Sequence, residues 1–337
     1  MKRIVFTKVN TAELLDFDIA DPQEKEVQVA LVMSSISSGT ERAGITGSKT
    51  VSWNRPEATE AKFPRYHGYS SAGVITKTGP GVEGLSVGDR VALSWSTHSQ
   101  LQNIKARLVH KLDDRISFSD GALTHIATFP LAAIRKCRLE MGESALVMGL
   151  GILGLLSVQL LRAAGAVPVI AADPIPSRRE KALQLGADHA LDPFDAGFAD
   201  TVRKLTCGGA KAAIEVTGSG QALNQALDCM AKHGRVALLG CTRHSDFTVD
   251  YYHKVHGPGI TLVGAHTSAR PKTESAAAYW TDHDDVMAVL RLCAAGRIDL
   301  DAMIEETHAP EEAPAVYQRL IEEKCFPVVQ FDWTQLK

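Results

Sequence analysis

The first hundred residues place apolar and polar positions in short, nearly alternating runs closed by turn residues. Residues 3–8, 26–33, 71–78 and 90–94 are rich in β-branched side chains, with Gly79-Pro80-Gly81 and Val87-Gly88-Asp89 among the turns. That pattern predicts strands joined by tight turns. Residues 48–66 follow no period and carry Trp53, Pro56 and Pro64, so a long loop is expected there.

Near Ser117 the period changes. Residues 120–138 read as helix, with Ser117 or Ser119 as the cap and Pro130 as a kink or break. Short apolar runs follow at 145–148, 168–172, 187–191, 212–216, 236–240 and 261–264, with helical stretches at 153–164, 177–185 and 222–233. Such alternation predicts a parallel sheet covered on both faces. Helices at 282–295 and 314–322 come next, and Pro314 suits a first helical position. A last strand at 326–331 is expected to return to the first domain.

Composition narrows the function. A chain of 337 residues exceeds one compact core and fits two domains. The net charge is -3, and no Lys/Arg cluster accompanies an aromatic stripe, so nucleic acid is not an expected partner. The start Met1-Lys2-Arg3-Ile4-Val5-Phe6 looks briefly like a signal peptide, but Lys8, Glu13, Asp16 and Asp18 break its apolar run, so none is expected. The longest apolar segment, 145–161, holds three glycines, Ser157 and Gln159 and is too short and polar for a membrane. A cytoplasmic location is the default expectation. Cys137, Cys207, Cys229, Cys241, Cys293 and Cys325 lie far apart, which fits neither a zinc knuckle nor a disulfide framework.

One motif carries chemistry in its context. Gly149-Leu150-Gly151-Ile152-Leu153-Gly154 follows a predicted strand and opens a predicted helix, and Asp173 ends the next strand. This is the dinucleotide-binding arrangement. Gly149 permits the turn, Gly151 lets backbone approach a pyrophosphate, and Gly154 lets helix pack on sheet. The helix start offers free N–H groups to the phosphates. Asp173 suits the ribose hydroxyls and repels a 2′-phosphate, so NAD is favoured over NADP. Arg178 and Arg179 weigh the other way, since arginine can hold that phosphate, although a solvated helix face also explains them.

Further segments complete a series: Ser38-Gly39-Thr40-Glu41, Gly68-Tyr69-Ser70-Ser71-Ala72-Gly73-Val74-Ile75, Val87-Gly88-Asp89-Arg90-Val91, Gly234-Arg235-Val236 and 259–264. Together with the glycine turn they resemble the medium-chain dehydrogenase/reductase family, the zinc alcohol and polyol dehydrogenases and their zinc-free relatives, over nearly the whole length. The resemblance implies a Rossmann doubly wound parallel sheet over 118–268. It also implies a mainly β, GroES-like substrate domain from 1–117 and 269–337, and a homodimer joined along the strand at 261–264. Ile152, Leu153, Thr217 and Gly240 join the expected cofactor contacts.

The departures from the family pattern matter. Ser38 stands at the family's zinc-ligand cysteine, Tyr69 at its histidine and Ser70 at the adjacent glutamate, while His125 falls near a third ligand position. Serine and tyrosine are poor neutral zinc ligands, so no zinc is expected. The Ser-Gly-Thr-Glu-Arg form looks most like a zinc-free branch. Hydride transfer then needs other groups for the hydroxyl proton and the developing oxyanion. Thr40 sits where the family relays a proton, Tyr69 can donate to the substrate oxygen, and the ordinary imidazole pKa of about 6.5 suits His125 as a base. His266 and Arg270 follow the strand at 261–264, where they could meet the cofactor's carboxamide or the substrate. Ser38, Glu41, Trp53 and Trp95 are further substrate candidates. Each of these residues also has an ordinary reading as cap, core or loop.

These readings converge on an NAD-dependent oxidoreductase of a secondary alcohol, of polyol or sugar type. A zinc-free enoyl or quinone reductase and a non-catalytic dinucleotide sensor are the alternatives. Asp173 speaks against the former, and polar groups at three cleft positions speak against the latter.

Overall fold

The structure is a computed structural model that describes residues 1–49, 61–242 and 245–337. Trp53 and most of the loop expected over 48–66 fall outside those residues. The chain divides into two compact units, Met1–Ile126 with Val286–Lys337, and Ala127–Asp285.

The first unit opens with an antiparallel hairpin of β1 (Lys2–Lys8) and β2 (Thr11–Asp16). Next come β3 (Glu26–Ser35), α1 (Ser38–Ile45), β4 (Ser70–Thr78), β5 (Arg90–Ser94), β6 (Leu101–Lys105) and β7 (Val109–Lys111). Periodicity alone does not reveal β2, α1, β6 or β7, because they are short and partly polar. Helix α2 (Phe118–Lys136) follows, and Ser117 caps it by accepting the Asp120 N–H at 2.9 Å. Pro130 lies inside α2 without ending it. Buried Ala127, Phe129, Ala132 and Ala133 on either side hold the helix together against the lost hydrogen bond.

The second unit runs β8 (Ala145–Met148), α3 (Ile152–Ala163), β9 (Val169–Ala172), α4 (Pro176–Gln184) and β10 (His189–Leu191). It continues with α5 (Phe198–Leu205), β11 (Ala210–Glu215), α6 (Gly220–Asp228), β12 (Met230–Leu238) and β13 (Thr261–Gly264). All pairings are parallel, in the order β10-β9-β8-β11-β12-β13, which is the doubly wound Rossmann order. Buried on both faces, β8 and β9 are continuous apolar runs. The helix expected over 222–233 stops at Asp228, because Met230 pairs with Ala210 and begins β12. Its apolar residues suit helix and strand equally, and the sheet decides.

The chain ends with α7 (Asp282–Ala294), β14 (Glu306–His308), α8 (Ala313–Glu322) and β15 (Val329–Asp332). The last strand does return: β15 pairs antiparallel with β3, so the first unit's main sheet runs β14-β15-β3-β4-β5-β7, with β6 also on β3. Its core gathers Phe6, Val27, Val29, Ile75, Leu93, Tyr317 and Phe331. Each such side chain contributes about 1.5–3 kcal/mol by leaving water.

The division between units falls later in the chain than the expected 117/118 and 268/269. Ile116 and Ala122 pack with Ala72, Ala92 and Leu112, which ties the start of α2 to the first unit. Arg270 bonds the Thr128 carbonyl at 2.6 Å and Asp282 at 2.8 Å, which ties 269–285 to the second.

Candidate functional site

In the first unit, strand register gathers hydroxyls. Ser34 of β3 lies opposite Ser71 of β4, and Ser70 lies opposite Ser94 of β5. Tyr69 therefore enters β4 just where Trp95 leaves β5, and the Trp95 N–H donates to the Tyr69 carbonyl at 2.8 Å. Trp95 holds a left-handed backbone, φ 60°, rare for a bulky residue and a strain of order 1 kcal/mol, yet its side chain is half exposed. Such strain clusters where a side chain is presented for use.

His125 reaches the same place from α2. A Cβ on Gly121 would come within 2.9 Å of the Leu112 side chain and 3.0 Å of the Ala72 side chain, so glycine lets α2 press onto the sheet. His125 is one turn further on the same helix face. Its ring is edge-on to Tyr69 at 5.9 Å and to Trp95 at 4.8 Å between centroids. His125 is buried, whereas Tyr69 is partly exposed.

The Tyr69 hydroxyl shares a short hydrogen bond with Ser37 Oγ. Ser37 occupies the N-cap of α1, but its hydroxyl makes no cap bond. Glu41 reaches back instead and accepts the Ser37 N–H at 2.8 Å. Glu41 is wholly buried, and its other oxygen accepts from His98 Nε2 at 3.1 Å and from Tyr317 OH at 2.5 Å. His98 Nδ1 is 2.8 Å from Ser34 Oγ, which also accepts the Trp333 indole N–H at 2.9 Å. Burial pushes the Glu41 carboxyl up, but His98 and Tyr317 outweigh it and hold the group below its ordinary 4.5. Burial likewise pushes His67 below 6.5.

Of the residues expected here, the structure brings Tyr69, Trp95 and His125 together. Ser38 and Thr40 lie in the first turn of α1, partly exposed. Glu41 points into the interior, where its carboxylate is taken up by protein groups, and Arg42 donates to the Leu320 and Glu323 carbonyls. Sequence reading missed Ser37, His98 and Tyr317. The run Ser34-Ser35-Ile36-Ser37-Ser38 was a visible hint for Ser37, whereas the other two are far away in sequence.

The second unit carries its glycine-rich turn at the carboxyl end of β8. Gly149 takes φ 92°, and a Cβ on Gly154 would sit 1.9 Å from the Gly149 carbonyl oxygen. By contrast, nothing lies within 4 Å of the space beside Gly151, the N-cap of α3. That is the open approach a pyrophosphate needs, with Ile152 and Leu153 forming the first helical turn. Asp173 accepts the Leu150 N–H at 2.8 Å and the Ile175 N–H at 2.9 Å, so it stiffens the glycine turn. Arg178 stands 3.7 Å from the same carboxylate, and Arg179 donates to the Asp173 carbonyl at 2.7 Å.

Further along, Glu215 ends β11 as a buried acid that sequence reading missed. It accepts the Thr217 N–H at 2.7 Å and the Thr217 hydroxyl, and burial pushes its carboxyl up. Gly240 is hemmed in by Gly218 N, 2.3 Å from where a Cβ would lie. His266 is exposed, with Nδ1 2.7 Å from Ser268 Oγ, while Arg270 is sunk against Asp282 and Thr128.

A doubly wound sheet with a glycine-rich turn and a strand-end aspartate is the dinucleotide-binding arrangement. The comparisons agree. Residues 34–137 match the alcohol dehydrogenase GroES-like domain, and residues 153–281 match the zinc-binding dehydrogenase family. L-threonine 3-dehydrogenase of Thermococcus kodakarensis is 30% identical over 283 residues, covering 74% of this chain and 78% of that protein. The enzyme of that name from Pyrococcus horikoshii is 28% identical over 324 residues, covering 87% of each. The crystal structure of 2R,3R-butanediol dehydrogenase from Bacillus subtilis superposes with a TM-score of 0.82 at 22% identity, covering 98% of this chain and 99% of that one. The chain belongs to the zinc-type alcohol dehydrogenase-like branch of the medium-chain dehydrogenase/reductase family, and it is a dehydrogenase/reductase acting on CH–OH groups.

Proposed function

We propose that this chain interconverts a secondary alcohol and its ketone with NAD, without a catalytic zinc. The observation that carries this is the Ser37–Tyr69 hydroxyl pair set against His125. Bound nicotinamide supplies the hydride chemistry. In the oxidising direction the carbinol carbon gives up a hydride and the hydroxyl gives up a proton. Tyr69, oriented by Ser37, donates to the oxygen on which charge develops, His125 takes the proton, and Thr40 offers a second hydroxyl for its relay. Glu41 acts through Ser37 as a positioning residue.

The donors at the family's metal positions do not fit zinc. Ser38 and Tyr69 offer neutral hydroxyls where thiolate and imidazole are required, and Tyr69 is engaged with Ser37. Asp173 supports NAD over NADP by repelling a 2′-phosphate. L-threonine 3-dehydrogenase and butanediol dehydrogenase are both named for secondary hydroxyls, which supports that substrate class, and a polyol or sugar derivative presents several. The edge strand β13 supports pairing with a second copy, making a homodimer.

The test is a fluorescence titration of the purified protein with NADH and NADPH, followed by NAD-linked oxidation of L-threonine, 2,3-butanediol, sorbitol and galactitol. Tight NADH binding with turnover of one of these supports the reading. Nucleotide binding with no turnover of any of the four would overturn this substrate class.

A further inference from the structure

A cleft of about 280 Å³ opens in the first unit between β1, the segment after β2 and β6. It is lined in part by Arg3, Phe17, Asp18, Thr97 and Gln102, and shares no lining residue with the hydroxyl cluster around Tyr69. Its size is near the lower end for small-molecule sites, roughly 300 Å³ and upward.

Two residues of its lining, Arg3 and Gln102, each carry a buried donor with no partner among the described residues. The Gln102 carboxamide oxygen accepts the Thr97 N–H at 3.1 Å and the Thr97 hydroxyl at 3.2 Å, which fixes the amide's orientation. Its Nε2 is buried with no partner among the described residues, and Gln102 is only 8% exposed. The Arg3 guanidinium stacks on the Phe17 and Tyr66 rings, 4.7 Å from each centroid, and its Nε is also buried without a partner. Ring stacking holds the planar fork in place but accepts none of its hydrogens. A buried donor left unmet costs about 1–3 kcal/mol, so the cleft favours a ligand that supplies acceptors. A carboxylate matches the fork and the amide together. Asp18 adds an exposed carboxylate to the same lining, suited to an ammonium.

We propose that this cleft is a second ligand site for a small free amino acid. Its carboxylate lies on Arg3 and Gln102, its ammonium on Asp18, and its side chain against Phe17. The test is calorimetric titration of the full-length protein with L-alanine, L-serine and L-aspartate, with propionate as the probe lacking the ammonium. At least one amino acid is expected to bind saturably. Its affinity should fall about tenfold or more in Arg3→Met and Asp18→Asn, the loss of one charged hydrogen bond, and stay unchanged in Tyr69→Phe. Arg3→Lys, which keeps the charge but loses the fork, should also weaken binding and covers the case in which Arg3→Met fails to fold. Absence of binding by all three amino acids would overturn the proposal. So would affinity untouched by Arg3→Lys, affinity lost in Tyr69→Phe, or propionate binding as tightly as L-alanine.

Discussion

The imidazole of His125 stands edge-on to the indole of Trp95, with centroids 4.8 Å apart and planes at 66°. One ring comes from a helix and the other from a strand end, and the close approach at Gly121 makes them meet. If His125 is the base, His125→Asn lowers turnover by more than about tenfold while the NADH dissociation constant barely moves. Steady-state kinetics beside a fluorescence titration checks this, and a fully active variant removes His125 from the mechanism.

The glycine turn separates folding from binding. Gly154→Ala drives a methyl into the Gly149 carbonyl, so the protein should lose several degrees of melting temperature. Gly151→Ala meets no protein atom within 4 Å, so its melting temperature should hold while NADH affinity drops about tenfold or more. Equal NADH affinity in wild type and Gly151→Ala would move the pyrophosphate elsewhere.

Asp173 does two tasks, bracing the Leu150 N–H and presenting negative charge near Arg178. Asp173→Asn keeps the shape, removes the charge and leaves one of the two backbone N–H groups without its acceptor. The ratio of NADPH to NADH affinity should then rise about tenfold, one charge interaction's worth. An unchanged ratio in paired titrations would show that cofactor choice is made elsewhere.

Acid should weaken the first unit in two stages. His67 is held below 6.5, so below that pH the unfolded chain takes up a proton that the folded His67 refuses, and stability falls. Glu41 is held below 4.5, so its contribution is present above that value and is lost as the pH drops through its folded pKa. Glu41→Gln, leaving His98 and Tyr317 without the carboxylate, should cost about 3 kcal/mol near neutral pH and flatten the second stage. Denaturant melts at a series of pH values measure both, and parallel wild-type and variant curves below pH 4.5 would contradict the assignment.

With hydroxyls at the ligand positions, activity should not need a metal. Dialysis against a strong chelator should leave the rate unchanged, with zinc well below one per chain by elemental analysis. A rate lost to the chelator and restored by zinc would contradict the zinc-free mechanism.

The sequence by itself determined the Rossmann half. Its strands are buried on both faces, so each is an apolar run, and its glycine turn and Asp173 lie in one local strand–turn–helix stretch. It also puts the hydroxyl-bearing Ser38 and Tyr69 at the positions that the family resemblance assigns to metal ligands. Tertiary structure alone decided what those residues touch. Ser37 meets Tyr69 across 32 positions, and Glu41 meets Tyr317 across 276, because β3 pairs with both β4 and the returning β15. The same long-range pairing turned the polar Glu41, a substrate candidate in the sequence, inward. Periodicity reports which face of an element is buried, but a contact between distant segments exists only once the sheet has set its register.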